Sequence, residues 1–123
     1  MKTLNGVCMV SRDLPRARRF YETILQMKFE GDEKFAWLTT LRGTLSIFSD
    51  ESMEKMAPGS MSGAGYGSYT IEFEVEEVDR EFERLRSLGV EFVKEPTTQS
   101  RGRRSVWFRD PDGNIVNFYK SVV

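Results

Sequence analysis

The chain has 123 residues, 39% of them apolar and 30% charged, with a net charge of −1. This suits one soluble domain with a modest core, and it leaves no electrostatic footprint for nucleic acid or an acidic membrane surface. One cysteine and no histidine exclude an internal disulfide and His/Cys zinc sites, remove the commonest general base, and leave only oxygen ligands for a hard cation.

The opening "MKTLNGVCMV" lacks the apolar stretch of a signal peptide, and no run approaches the ~18 apolar residues of a membrane-spanning helix. With a single cysteine, the cytoplasm is the default compartment. Residues 4–10, "LNGVCMV", read as a strand. Asp13 is a good helix N-cap and Pro15 sits harmlessly in the first turn. Leu14, Ala17, Phe20, Tyr21, Ile24 and Leu25 then recur at helical spacing and form one apolar stripe. Arg16, Arg18, Arg19 and Glu22 fill the opposite, solvated face. "MKFE", "KFAWLT" and "TLSIFS" follow as short strands, so the first half reads β-α-β-β-β.

Residues 57–67, "APGSMSGAGYG", carry no charge and four glycines, the composition of a linker or mobile flap. "GAGYG" is not a dinucleotide loop, because it follows a loop and opens a strand rather than a helix. "SYTIEFEV" alternates strictly. Val78, Phe82, Leu85 and Leu88 mark a helix that stops at Gly89, a typical residue just past a helix end. "VEFVK", "RSVWF" and "NIVNFY" are the last strands. The second half again reads β-α-β-β-β, a weak internal repeat of about half the chain. A helix covers one face of each module's sheet; the other face, if apolar, needs an occupant, and a concave face is where ligands sit.

"RDPDGNIVNF" (109–118) has some look of a calcium loop. It fails as one, because Gly113 directly follows Asp112, no third alternating oxygen ligand is present and no helix precedes. Pro111, Gly113 and Asn114 suit a tight turn between two strands.

Taken together these segments resemble the vicinal-oxygen-chelate superfamily, which includes glyoxalases, bleomycin-resistance proteins and extradiol dioxygenases. "VCMVSRDLPRARRFYETILQMKF" is similar to its opening strand and helix, "IEFEVEEVDREFERLRSLGVEFVKEP" to its second module, and "WFRDPDGNIVNFY" to its closing hairpin. The resemblance implies an α+β fold of two βαβββ modules, about 1–56 and 68–123, forming one curved mixed sheet with helices outside, in a single domain over 1–123. It implies a divalent metal in the enzymes of the family, held by His and Glu at equivalent strand positions. Those positions fall here on Asn5 (or Gly6, if the register slips by one), Ser46, Thr70 and Asn117, all neutral. Asn117 then looks like the remnant of a ligand position, and the DPDGN turn is structural.

Alternation puts Cys8, Val10, Leu45, Ile47, Ile71, Phe73, Val75, Val116 and Phe118 toward the helices. Asn5, Val7, Met9, Ser46, Phe48, Thr70, Glu72, Ile115, Asn117 and Tyr119 face the cavity, with Phe35, Trp37 and Trp107. Cys8 is expected as a small core residue, and Arg101, Arg103 and Arg104 as a basic loop. The expected ligand-binding set is Asn5, Phe35, Trp37, Ser46, Phe48, Thr70, Glu72, Trp107, Asn117 and Tyr119, with no catalytic or metal-ligating residue and no cofactor. The function that follows is metal-independent small-molecule binding similar in type to the bleomycin-resistance proteins, with an aromatic or cationic ligand, no nucleic acid, no membrane and a homodimeric assembly. The alternative is a glyoxalase-like lyase, isomerase or dioxygenase with an atypical or absent metal, chemistry that the loss of the His/Glu positions disfavours.

Overall fold

The computed structural model describes residues 1–65, 68–100 and 102–122. The chain divides into two compact units, Met1–Ala64 and Gly65–Val123. Among the described residues the strands form two four-stranded mixed sheets, one in each unit, and three helices accompany them. None of the described helices is long and apolar enough to cross a membrane.

In the first unit, β1 (Gly6–Ser11) leads into α1 (Leu14–Leu25), then β2 (Glu30–Gly31), β3 (Phe35–Thr40), β4 (Gly43–Ser49) and α2 (Asp50–Met56), with strand order β1-β4-β3-β2. The side chain of Asp13 accepts the Arg16 N–H at 3.2 Å, so the N-cap forms as its residue type dictates. Leu14, Ala17, Tyr21 and Ile24 are buried and pack as the expected stripe, while Phe20 and Leu25 flank it half-buried. Helix α1 lies against Ala36, Leu38, Leu45 and Ile47, all buried. Each fully buried aliphatic side chain contributes about 1.5–3 kcal/mol. Gly31 is required where it stands: its φ is +108°, and a Cβ there would lie 2.2 Å from the carbonyl oxygen of Phe35.

Two residues read as solvated do more than face water. Glu22 Oε2 accepts the Phe29 N–H at 2.8 Å and Arg18 Nε at 3.3 Å. Arg18 also donates to the carbonyls of Phe29 and Gly31, so the pair ties the helix to the chain that enters β2. Partial desolvation pushes the Glu22 carboxyl up, but the Phe29 N–H and the Arg18 guanidinium outweigh it and hold the group below the ordinary glutamate range. A carboxyl lowered on folding stabilises above its unfolded pKa of about 4.3, and that contribution is lost as pH falls through the folded value. Glu22→Ala, which leaves the Phe29 N–H without its acceptor, should cost about 1–2 kcal/mol near neutral pH. The difference from the parent should narrow on acidification, as the charge-dependent part is lost. Urea melts at several pH values check this; a gap that stays constant into strong acid would refute it.

In the second unit, β5 (Thr70–Glu74), α3 (Val78–Ser87), β6 (Glu91–Thr98), β7 (Arg103–Arg109) and β8 (Ile115–Ser121) build a sheet of order β5-β8-β7-β6. Helix α3 ends before Gly89, whose φ is +77°. Its core is an aromatic chain: Phe82 to Phe92 at 4.9 Å between ring centroids, Phe92 to Phe108 at 6.5 Å, Phe108 to Phe118 at 5.1 Å and Phe118 to Phe73 at 6.0 Å. Most of these pairs are edge-to-face, the arrangement the ring quadrupole favours.

The DPDGN turn is self-contained. Asp110 Oδ1 accepts the N–H groups of Asp112 and Asn114 at 2.9 and 2.8 Å, and Oδ2 accepts the Asn114 amide at 3.0 Å. Gly113 supplies the φ of +89° that the turn needs. The carboxylate that gave the segment its calcium-like look is occupied by the turn itself.

The face assignment of β1 is overturned. Met9 and Ser11 are buried, and Tyr21 of α1 donates its hydroxyl to Met9 Sδ at 3.6 Å. Met9 therefore lies under the helix with Leu45 and Ile47, whereas Cys8 is exposed and shares the open face with Val10. Cys8 is not a core residue. Both parities of "VCMV" are apolar, so alternation could not choose between them; the helix chose Met9, and Ser11 is tolerated beneath it because its hydroxyl accepts the Asp13 N–H at 3.1 Å.

The basic loop is also revised. Arg103 and Arg104 lie in β7 and point to opposite faces: Arg104 forms two hydrogen bonds to the Asp79 carboxylate of α3, at 2.9 and 2.8 Å, while Arg103 reaches Glu72. The Arg104 bond holds Asp79 below, and Arg104 above, its ordinary range. Arg101 lies outside the described residues.

Candidate functional site

Strand pairing places cross-strand partners on the same face of a sheet. In the first unit Ser46 pairs with Cys8 on one side and Trp37 on the other, and Phe48 pairs with Val10 and Phe35. The open face, away from α1, therefore carries Phe35, Trp37, Ser46 and Phe48 together, as expected from the sequence. Phe35 stacks at a tilt on Trp37 at 5.6 Å and meets Phe48 edge-on at 5.8 Å. Asn5 is not part of this face. It precedes β1 on the parity of Met9, is exposed, and contributes only its carbonyl, which accepts the Thr44 N–H at 3.0 Å. Gly6 holds the open-face parity and has no side-chain donor; a Cβ there would lie 2.0 Å from the Thr44 carbonyl oxygen.

In the second unit the open face is a continuous row. Glu72 pairs with Asn117, Asn117 with Trp107, and Trp107 with Lys94. A second row sets Glu74 beside Tyr119 and Tyr119 beside Ser105, while Thr70 pairs with Ile115. Thr70, Glu72, Trp107, Asn117 and Tyr119 thus share one face. Asn117 is 5% exposed, deep for a polar residue on the face turned away from a helix.

The chemistry of this row is specific. Asn117 Nδ2 donates to Glu72 Oε2 at 3.2 Å, and Arg103 Nη1 approaches the same oxygen at 3.2 Å. Arg103 also lies over the Tyr119 ring, 3.8 Å from its centroid, and Lys94 Nζ lies 5.0 Å from the centroid of Trp107. Two polar atoms in the row are sealed from solvent and have no hydrogen-bond partner: Trp107 Nε1 and Asn117 Oδ1. The Asn117 orientation is set by Glu72, since the flipped amide would put two oxygens face to face. A buried polar atom left unpaired costs free energy, so such atoms call for an explanation.

Glu72 is therefore not a free carboxylate awaiting a cation; its charge is offset by Arg103. Lys94 and Arg103 also lie on this face, over Trp107 and Tyr119, outside the ligand-binding set expected from the sequence. Simple alternation sets Lys94 on the face of Phe92, which packs on Phe108. A register shift in β6 between Phe92 and Lys94 turns Lys94 to the opposite face, onto Trp107.

The positions implied as metal ligands do not fit a His/Glu centre. Ser46, Thr70 and Asn117 offer neutral oxygens, Gly6 offers no side chain, and the adjacent Glu72 is engaged. Among the described residues no group of three or more His, Cys, Asp or Glu is gathered where it could hold a metal ion. Grooves of about 610 and 560 Å³ lie elsewhere, one along Glu74–Glu77, Arg80 and Lys120, the other between Lys34, Phe48 and α2. Both are open to solvent, and neither includes the Glu72–Asn117–Trp107 row. The row is the better candidate because it alone of the three holds sealed polar atoms without partners.

Against known proteins, the family model described as Glyoxalase/Bleomycin resistance protein/Dioxygenase superfamily matches residues 3–118. The uncharacterized protein YraH of Bacillus subtilis (strain 168) is 25% identical over 127 residues, with 98% of each chain covered. Among solved structures, a glyoxalase/bleomycin resistance protein/dioxygenase family enzyme from Burkholderia phytofirmans PsJN superposes with a TM-score of 0.84 at 18% identity, covering 97% of this chain and 98% of that one. A lactoylglutathione lyase from Agrobacterium tumefaciens gives a TM-score of 0.78 at 19% identity, covering 98% and 94%. At such identities the structural likeness carries the fold alone.

Proposed function

The chain belongs to the glyoxalase/bleomycin resistance protein/dioxygenase superfamily, and from that premise we propose that it is a small-molecule-binding protein that holds its ligand on the open faces of its sheets without a metal ion. The observation that carries this is Asn117: a neutral amide, nearly buried, stands where the resemblance puts a ligating carboxylate, and its one bonded partner, Glu72, is already engaged by Arg103. Each unit has an aromatic wall of its own, Phe35, Trp37 and Phe48 in the first and Trp107 and Tyr119 in the second, and such a wall suits a planar guest. Because Arg103 offsets Glu72, a neutral polar ligand suits the second unit better than a cation does.

The test is a titration of the full chain in EDTA with planar heteroaromatic compounds, aromatic cations and glycopeptide antibiotics of the bleomycin type, followed by tryptophan fluorescence. At least one compound should bind with a Kd that the chelator does not change. Protein purified without chelator that carries near one zinc, nickel or iron per chain, with binding lost on chelation, would refute this reading.

A further inference from the structure

We propose that the ligand is recognised through a lactam-type edge, a ring carbonyl beside a ring N–H, held between Trp107 and Asn117. This rests on the binding reading above and names the chemical class of ligand for that site. Trp107 and Asn117 are direct cross-strand partners of β7 and β8, so their side chains stand next to each other on one face. Each ends in a sealed atom with no partner. The two have opposite hydrogen-bonding sense. An indole Nε1–H only donates, and Asn117 Oδ1 only accepts, its Nδ2 being committed to Glu72 at 3.2 Å.

The complement of a donor and an acceptor on neighbouring side chains is an acceptor and a donor close together on the guest. The cis-amide edge of a lactam supplies both from neighbouring atoms: its carbonyl accepts from Trp107 and its N–H donates to Asn117. The group is neutral, in keeping with a row whose single carboxylate is already offset. It is planar, in keeping with a row flanked by the Trp107 and Tyr119 rings. Both rings carry a long flexible cation, Lys94 at 5.0 Å and Arg103 at 3.8 Å, which an arriving planar ring displaces without backbone movement. A site built to satisfy two buried polar groups rejects a guest that satisfies only one, because the other is left unpaired.

The experiment titrates the ¹⁵N-labelled full chain with 2-quinolone, which has both lactam groups, with N-methyl-2-quinolone, which keeps only the acceptor, and with indole, which keeps only the donor. 2-Quinolone should bind at least about tenfold more tightly than either, the fold-change expected when one buried polar group goes unpaired. It should also move the Trp107 indole N–H resonance downfield. Trp107→Phe should abolish the preference for 2-quinolone over indole, the donor-only guest, while leaving the remaining amide spectrum native. Equal affinity for 2-quinolone and N-methyl-2-quinolone in the parent protein, or a response at Trp37 in place of Trp107, would overturn the lactam proposal and leave the binding reading standing. If none of the three compounds binds, the lactam proposal falls; the binding reading falls with it only if the wider panel is also silent.

Discussion

Phe108→Ala should lower the stability of the protein by about 3–5 kcal/mol, the range for removing a large aromatic side chain from a packed core. Phe108 is fully buried, with neighbours Phe92 on one side and Phe118 on the other. Its partners are anchored in β6 and β8, so the sheet cannot close on the void without breaking strand pairing. The loss is a large fraction of the roughly 5–15 kcal/mol by which domains of this kind are stable. Urea or guanidinium melts of parent and variant measure it directly. A loss below about 2 kcal/mol would mean that Phe92 and Phe118 collapse together, and the aromatic chain would then be more plastic than its geometry implies. Phe118→Ala should cost a similar amount, and the double variant less than the sum, because the two rings share one contact.

Most of the fold could be read from periodicity. The stripe of α1, the N-cap at Asp13 and the stop at Gly89 are local signals, and local signals survive tertiary packing. What escaped was decided at longer range or masked by composition. Helix α2 was unassigned because "DESMEKM" has no apolar stripe, and none of its residues is buried. The signal that could have found it is its cap: Ser49 accepts the Ser52 N–H at 3.1 Å, ahead of Asp50 and Glu51 in the first turn. The faces of β1 escaped because Val7, Cys8, Met9 and Val10 are apolar on both parities. Only Tyr21, twelve residues beyond Met9, breaks the tie.

The candidate face was legible in its neutral residues and not in its charges. The absence of histidine and the neutral Asn117 direct attention to these open faces from the sequence alone. The open-face sets Phe35, Trp37, Ser46, Phe48 and Thr70, Glu72, Trp107, Asn117, Tyr119 follow from alternation in strands that lack bulges. Lys94 lies beyond a register shift, which a pattern of period two cannot anticipate. Arg103 is assigned to a loop by composition, because "QSRGRRS" is polar and contains glycine. In the fold it is the first residue of β7 and forms an ion pair across the sheet with Glu72, thirty-one residues earlier.

Asn117→Asp separates the electrostatic from the steric role of that amide, and it should cost about 3 kcal/mol at neutral pH. The two side chains are nearly the same size. The change replaces a donor 3.2 Å from Glu72 Oε2 with a carboxylate oxygen. At that spacing two full charges repel by about 5 kcal/mol for an effective dielectric near 20. Arg103, 3.2 Å from the same Glu72 oxygen but with its side chain 44% exposed, offsets part of this. The sign of the pH dependence follows. Two carboxyls that share one site titrate as a coupled pair, and one step is raised above the unfolded value of about 4. Below the unfolded value both states are protonated and the variant should be nearly as stable as the parent. The deficit should open as pH rises through the folded value and then level off, since the unfolded chain gives up its proton first. Glu72→Gln in the Asn117→Asp background should close most of the gap at neutral pH, because only one carboxylate then remains in the row. Urea melts across that range decide it. A deficit that is the same in acid as at neutrality, or one that Glu72→Gln does not relieve, would mean that Asn117 is retained for its shape and not because a second charge beside Glu72 is intolerable.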